Sequence, residues 1–382
     1  MSRKSPRSRR RRIILSVLLV PALYLSYLGV TLVQTLTNPA YGVTAMARFA
    51  EWGRGHGLTS EVNWAEAVWY RLHPTKIGGL PPKGSFGPNT STTTTPRTGH
   101  LSPPRPIAVV NPLPGEGLWH AVGRTDIHHQ PAVYEAFVRP DTTHTSYVVG
   151  LAWMDTTILN AQLYSGSYIP GHGPFTHTAP ISPVNSTSLV AAFNAGFRMP
   201  DAEGGYYTDG HVVPGLPLRN GVASIVIYKN GHITVGMWGR DATLTKQVAS
   251  VRQNLALIVD AGHPVAGLSS TDNTRWGATL GGSAYVWRSG LGVTSAGALV
   301  YAGGPSLSIV DLANVLARAG CVRAMELDIN PDWVQYSIFQ GAPHQPVSGS
   351  NGKSLLPSML GSPSRYFASW WARDFVTMSL HP

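Results

Sequence analysis

The chain has 382 residues, 43% apolar and only 13% charged, which is enough to bury the core of one large domain or two ordinary ones and excludes a disordered chain. Its formal charge of +10 does not describe a nucleic-acid surface: residues 1–12 hold seven basic residues and no acid, and the rest carries 22 basic against 19 acidic residues, too balanced for a phosphate-backbone groove. Forty-one glycines and thirty prolines suit a turn-rich β protein, and the single Cys321 excludes an internal disulfide and reads as a small apolar residue.

The basic segment 1–12 runs into residues 13–36, 24 residues without a charge. At about 1.5 Å per helical residue this run crosses a hydrocarbon core of about 30 Å, whereas a cleaved signal sequence has an apolar region of about 7–15 residues. Residues 13–36 therefore read as a transmembrane anchor. Positive charge on its N-terminal side keeps that end in the cytoplasm and places the rest outside, as a single-pass plasma-membrane protein. Cleavage after Ala40, in Asn38-Pro-Ala40, is the alternative. Within the juxtamembrane stretch 37–75, apolar spacing predicts helices over 43–54 and 60–72, with Ser60 as an N-cap. Trp52, Trp64, Trp69 and Tyr70 would lie at the lipid headgroups or pack on the following domain. Residues 76–106, rich in Pro, Gly, Ser and Thr, read as a linker or stalk.

From 107 onward, alternating and continuous apolar runs predict strands at 134–139, 146–154, 188–193, 221–228, 232–238, 255–259, 285–288, 298–301 and 324–328. Asn230-Gly231 predicts a two-residue hairpin turn, and Gly281-Gly282 and Gly303-Gly304 read as turns. One helix is expected from Ser308 to Ala319, with Asp311 in its first turn and Gly320 past its end. The predicted fold class is α+β, a large mixed β-sheet domain with few helices behind an N-terminal transmembrane helix. Its domain is expected at 107–340, with 341–382 as a C-terminal extension that contains Trp370-Trp371.

Two of these strands stop on polar residues: 189–194 on Asn194, and 324–328 on Glu326 and Asp328. Strand alternation puts Glu326 and Asp328 on one face and Met325 and Leu327 on the other. Two buried carboxylates need a partner or a function. The structural alternative is a turn at Asp328-Ile-Asn330-Pro331. The histidines at 120, 128, 129, 144, 172 and 177 lack ligand spacing, and the sequence assigns neither a cofactor nor a metal, while leaving a divalent ion open. No Gly-x-Ser-x-Gly elbow marks a serine nucleophile.

The motifs Asn194-Ala-Gly196-Phe197 with Gly204-Gly-Tyr-Tyr, Leu257-Ile-Val-Asp-Ala-Gly262, Arg275-Trp-Gly-Ala-Thr-Leu-Gly281 and Glu326-Leu-Asp328 resemble, in this order, the phosphodiester glycosidase family. The resemblance covers about 107–340. Where members carry glycines after the Leu-Asp pair, this chain has Ile329-Asn330-Pro331-Asp332, so its substrate pocket must differ. The resemblance implies a hydrolase that cleaves sugar-1-phosphodiester bonds. For a membrane-anchored protein the implied substrate is a phosphodiester-linked glycan of the cell envelope or an exopolysaccharide. Asp328 would be nucleophile, base or charge stabiliser, with Glu326 as its partner. Arg275 would hold the phosphate or be a surface arginine. Asn194 would bond a sugar hydroxyl, orient Asp328 or serve as a turn residue, and Gly196 and Asn330 would complete the substrate-binding set. The second reading is a non-catalytic glycan-binding or envelope-assembly protein with Tyr206, Tyr207 and Trp333 stacked on sugars. Oligomeric state is not legible.

Overall fold

The computed structural model describes residues 6–92, 98–171, 173–269, 275–277, 279–342 and 344–381. They form two compact units, Met1–Asn63 and Trp64–Pro382.

The first unit is helical. Helix Pro6–Thr37 takes in the apolar run, and Leu19–Thr37 is long and apolar enough to cross a membrane. The hydroxyls of Ser26, Thr35 and Thr37 donate to carbonyls one turn back at 2.8, 2.9 and 2.8 Å, so these polar residues are satisfied inside the helix. Arg48, on helix Ala45–Gly55, donates to Leu36 O at 2.8 Å, a carbonyl that the helix end leaves open, and to Gly42 O at 2.8 Å in the connection between the two helices.

The second unit holds three sheets, and the ladders between their strands run antiparallel, so the expected large sheet is divided and its strands alternate in direction. The eight-stranded sheet has the order His120–Thr125, Pro131–Val138, Val149–Met154, Leu299–Leu307, Val286–Thr294, Cys321–Glu326, Leu257–Asp260, His263–Pro264. A five-stranded sheet runs Gly352–Ser354, Tyr336–Phe339, Leu189–Asn194, Phe375–Leu380, Leu159–Tyr164, and another runs His211–Val212, Tyr206–Thr208, Val248–Gln253, Ala223–Tyr228, Ile233–Met237.

The large sheet is covered on both faces, which is why its strands read as nearly continuous apolar runs. One face sends Leu291, Tyr301, Met325 and Leu327 into a core with Phe193, Val376 and Met378. The other packs Val300, Cys321 and Ala324 against Leu312, Val315 and Leu316 of helix Ile309–Arg318. That helix opens on the expected polar pair: Ser308 Oγ accepts from Asp311 N at 3.1 Å and the Asp311 carboxylate accepts from Ser308 N at 3.0 Å. Gly320 follows it at φ +91°. Cys321 is fully buried, and burial pushes its thiol up, so it is packing and not a nucleophile.

Four expectations need correction. Gly303 and Gly304 lie inside strand Leu299–Leu307, not in a turn; a Cβ on Gly304 would come 3.0 Å from Val148 O. The Asn230-Gly231 hairpin forms, but its loop has three residues: Tyr228 N donates to His232 O at 2.8 Å, and Gly231 at φ +81° carries the left-handed position that a two-residue turn would have shared with Asn230. The stretch 76–106 is held along the domain, with Gly78 N on Thr143 O at 2.7 Å, Leu101 N on Asp155 Oδ2 at 3.1 Å and Arg105 O accepting from Trp119 Nε1 at 2.9 Å. Thr93–Thr95 of its threonine run lie outside the described residues. Residues 341–382 are not peripheral, because strand Phe375–Leu380 sits between Leu189–Asn194 and Leu159–Tyr164.

Candidate active site

Strand Cys321–Glu326 ends one residue before Leu327, and Asp328 follows as the chain leaves the sheet. Ser289 on the neighbouring strand fixes this exit: its N–H donates to Asp328 O at 2.8 Å, and its Oγ accepts from Asp328 N at 3.2 Å. Asp328 Oδ1 then accepts from Ile329 N at 2.8 Å and Asn330 N at 3.0 Å. The segment is thus both a buried carboxylate and a turn. Oδ2 faces Arg373 Nη1 at 3.9 Å, and that guanidinium lies 4.3 Å over the Trp333 ring. Burial pushes Asp328 up to about 6, opposed by Arg373, the two N–H groups and Arg198.

Glu326 makes a different partnership. Its Oε1 lies 2.5 Å from Arg288 Nη1, and both side chains are almost fully buried. Burial pushes Glu326 up to about 7 while Arg288 pulls against it and the Asp328 charge adds to the rise. Glu326 neutralises Arg288 directly and reaches Asp328 through the field between them.

Asn194 closes strand Leu189–Asn194 and is fully engaged: Oδ1 accepts from Tyr301 OH at 3.0 Å and Gln335 N at 3.1 Å, and Nδ2 donates to Ser289 Oγ at 3.1 Å. It therefore orients the exit of Asp328 through Ser289, the second of the roles the sequence offered for it. Gly196 is required by space: a Cβ there would stand 3.0 Å from Asn254 Oδ1 and 3.1 Å from Arg252 Cζ. Asn330 caps its own turn, its Oδ1 accepting from Asp332 N at 2.9 Å. Arg275 is exposed, with its guanidinium 4.8 Å over the Trp276 ring. The cation that contacts Asp328 is Arg373.

Tyr206 and Trp333 cannot stack on a sugar as placed. Tyr206 is fully buried and shares a hydrogen bond with Ser165, and Trp333 lies beneath Arg373 against Trp371. Tyr207 is half-buried at a separate cleft with His177 and Ser250. Among the other histidines, His144 pairs with Asp141 at 2.7 Å, and His172 lies outside the described residues. Among the described residues, no three His, Cys, Asp or Glu side chains converge on a metal-sized site.

Sequence reasoning missed the residues that surround these groups. Arg252 and Asp374 form a fully buried pair at 2.7 Å, and Arg252 also donates to Phe197 O and, at 2.5 Å, to Gln253 O. Asn254 Nδ2 donates to Glu326 O at 2.7 Å and Leu327 O at 3.2 Å. The signal was present: Arg252 stands inside an apolar strand, and Arg373-Asp374 interrupts the run from Trp370 to Phe375.

Residues 187–328 match the sequence profile of the phosphodiester glycosidase family. The catalytic domain of the zebrafish N-acetylglucosamine-1-phosphodiester alpha-N-acetylglucosaminidase, described as auto-inhibited by its pro-peptide, is 16% identical at a TM-score of 0.41 and covers 68% of this chain and 87% of its own. A hypothetical protein from Synechocystis is 10% identical at a TM-score of 0.33, covering 65% of this chain and 62% of its own. No curated protein matches the chain. The matched segment 187–328 holds Asn194, Gly196, Arg275 and both strand-end carboxylates, the residues whose motifs resemble the phosphodiester glycosidase family.

Proposed function

We propose that the chain is a membrane-anchored hydrolase whose catalytic domain lies outside the cytoplasm and cleaves sugar-1-phosphodiester bonds in surface polysaccharide or envelope glycans. The reading rests on one arrangement: a buried carboxylate, Asp328, facing one guanidinium, Arg373, within reach of the charge of a second, Arg198. A phosphodiester is already a good leaving group, so the bond from the anomeric carbon to the phosphate oxygen needs little general acid. The bond breaks with its electron pair going to phosphate, whose charge Arg373 and Arg198 balance, in place of the expected Arg275. Asp328 meets the developing positive charge at the anomeric carbon, either by attack or by taking a proton from the incoming water. The products are the free sugar and a phosphomonoester. Glu326 and Arg288 set the field around Asp328, and Asn194 with Ser289 holds its backbone.

The test uses the full-length protein in detergent and the methyl phosphodiester of α-N-acetylglucosamine 1-phosphate, alongside the corresponding glucose and galactose diesters. Release of free sugar that Asp328→Asn abolishes, with an unchanged melting curve, supports the reading. Equal release by Asp328→Asn, or no release from any of the three diesters, overturns it.

A further inference from the structure

The outer end of the apolar helix is not bare. Helix Ala45–Gly55 turns back along it, and residues spaced one turn apart meet it at successively earlier positions. Arg48 Nη1 donates to Leu36 O at 2.8 Å, and Trp52 Nε1 donates to Thr31 Oγ1 at 3.0 Å. The His56 ring, whose Nε2 lies 3.2 Å from Thr31 Oγ1, has its centroid 6.0 Å from that of Tyr27. Rising numbers on one helix meet falling numbers on the other, so the two run antiparallel. Burial follows the same pairing: residues 19–27 are exposed all round, whereas 28, 31, 32, 35 and 36 are half-buried at the spacing of one helical face. Composition changes at the same place, because Thr31, Gln34, Thr35 and Thr37 all come after Tyr27.

This pairing fixes what can lie in lipid. The helix from Leu36 back to Tyr27 is about 14 Å long. If the hydrocarbon began at Leu36, as the full apolar run 13–36 implies, His56 would lie about 14 Å inside, near the centre of a core about 30 Å thick. Arg48, Glu51 and Arg54 would be drawn in with it, and the exposed turn residues Gly57 and Leu58 would meet lipid where irregular backbone is not tolerated. Val30, Val33, Met46 and Phe49 leave an exposed apolar flank on the pair, but lipid cannot cover that flank without taking in the charged groups beside it.

We propose that the outer boundary of the hydrocarbon lies at Tyr24–Tyr27 and not at Leu36, and that residues 28–37 and helix Ala45–Gly55 stand beyond it as a hairpin that rests on the lipid headgroups through Tyr24, Tyr27 and Leu58. These three are 57%, 56% and 40% exposed, and tyrosine rings suit the headgroup level. The crossing segment is then 13–27, or 15 residues, about 22 Å long. Arg9–Arg12 reach back to the opposite headgroups, and the bilayer thins locally to match. The inference rests on the membrane-anchor part of the proposed function and is independent of the hydrolase part.

The test uses the full-length protein in liposomes of phosphatidylcholine and phosphatidylglycerol. Leu19→Cys, Val20→Cys, Leu23→Cys, Leu25→Cys, Val30→Cys and Val33→Cys each carry a nitroxide label at a side chain that is 56% to 66% exposed. Cys321 is fully buried, and the unsubstituted chain serves as the blank. Power-saturation spin resonance compares oxygen, which concentrates in lipid, with a water-soluble nickel chelate. The oxygen-to-nickel ratio is expected to peak at Val20, the middle of 13–27, and to fall at Val33 to the value of a label in water. A peak at Leu25, the middle of 13–36, with Val33 shielded from nickel overturns the inference and leaves the anchor standing. Protein that does not float with the liposomes, or a mature chain that begins after Ala40, overturns the anchor reading and this inference with it, while the hydrolase test stands by itself.

Discussion

Asp328 and Arg373 stand 3.9 Å apart, the carboxylate on the exit of strand Cys321–Glu326 and the guanidinium on the approach to strand Phe375–Leu380, laid over Trp333. Arg373 is the nearest positive charge opposing the rise of Asp328 toward 6. Replacing it with glutamine removes that opposition, so the acid limb of the pH–rate profile should move to higher pH. The same change should lower kcat by about 10²–10³, the usual loss for one group that stabilises developing charge. A profile whose acid limb stays in place would separate Arg373 from the reaction.

Asn194 holds three groups at once, Tyr301, Gln335 and Ser289. Asn194→Ala leaves buried donors unmet and should cost about 2–4 kcal/mol in urea unfolding. It should also slow turnover more than a matched core substitution such as Val376→Ala, because Ser289 then loses the amide that orients it.

Three buried carboxylates are pushed up, Glu135 and Glu326 to about 7 and Asp328 to about 6. Each binds its proton more tightly folded than unfolded. Their contribution to stability is therefore present below the unfolded values and is lost as pH rises toward 7. Urea midpoints should be higher at pH 5 than at pH 7.5. Glu135 has a buried Oε1 with no hydrogen-bond partner, so Glu135→Gln should flatten this slope by on the order of 3 kcal/mol. A midpoint that rises across this range would contradict the sign.

Gly196→Ala forces a methyl against Asn254 and Arg252 at 3.0 and 3.1 Å. It should destabilise by about 1–3 kcal/mol and reduce activity together with stability, since Asn254 holds the Glu326 and Leu327 carbonyls just before Asp328 and Arg252 holds Asp374, next to Arg373.

Much of the architecture was legible because its signals are local. The Ser308–Asp311 cap, the glycine after the helix and the alternation of Met325 and Leu327 against Glu326 and Asp328 all act within a few residues. The same locality explains the errors. The guanidinium logic selected an arginine by type, but nothing near Arg275 reveals that a different arginine, brought by the C-terminal strand, reaches Asp328. The continuous strand Leu299–Leu307 looked broken because Gly303 and Gly304 mark turns in most local contexts, whereas here they make room for backbone packed close against them. Asn194 was legible as the polar end of an apolar strand with three open roles, but its three bonds come from three distant segments and leave no trace in its neighbours.

Strand Leu189–Asn194 has Tyr336–Phe339 on one side and Phe375–Leu380 on the other, so both of its partners are translated long after it. During synthesis its two edges stay open, and an apolar strand in that state is prone to pair with another chain. Folding of this domain should thus be completed only once residue 380 has emerged, and the arrangement around Asp328 should appear in one late step together with the closing of the sheet.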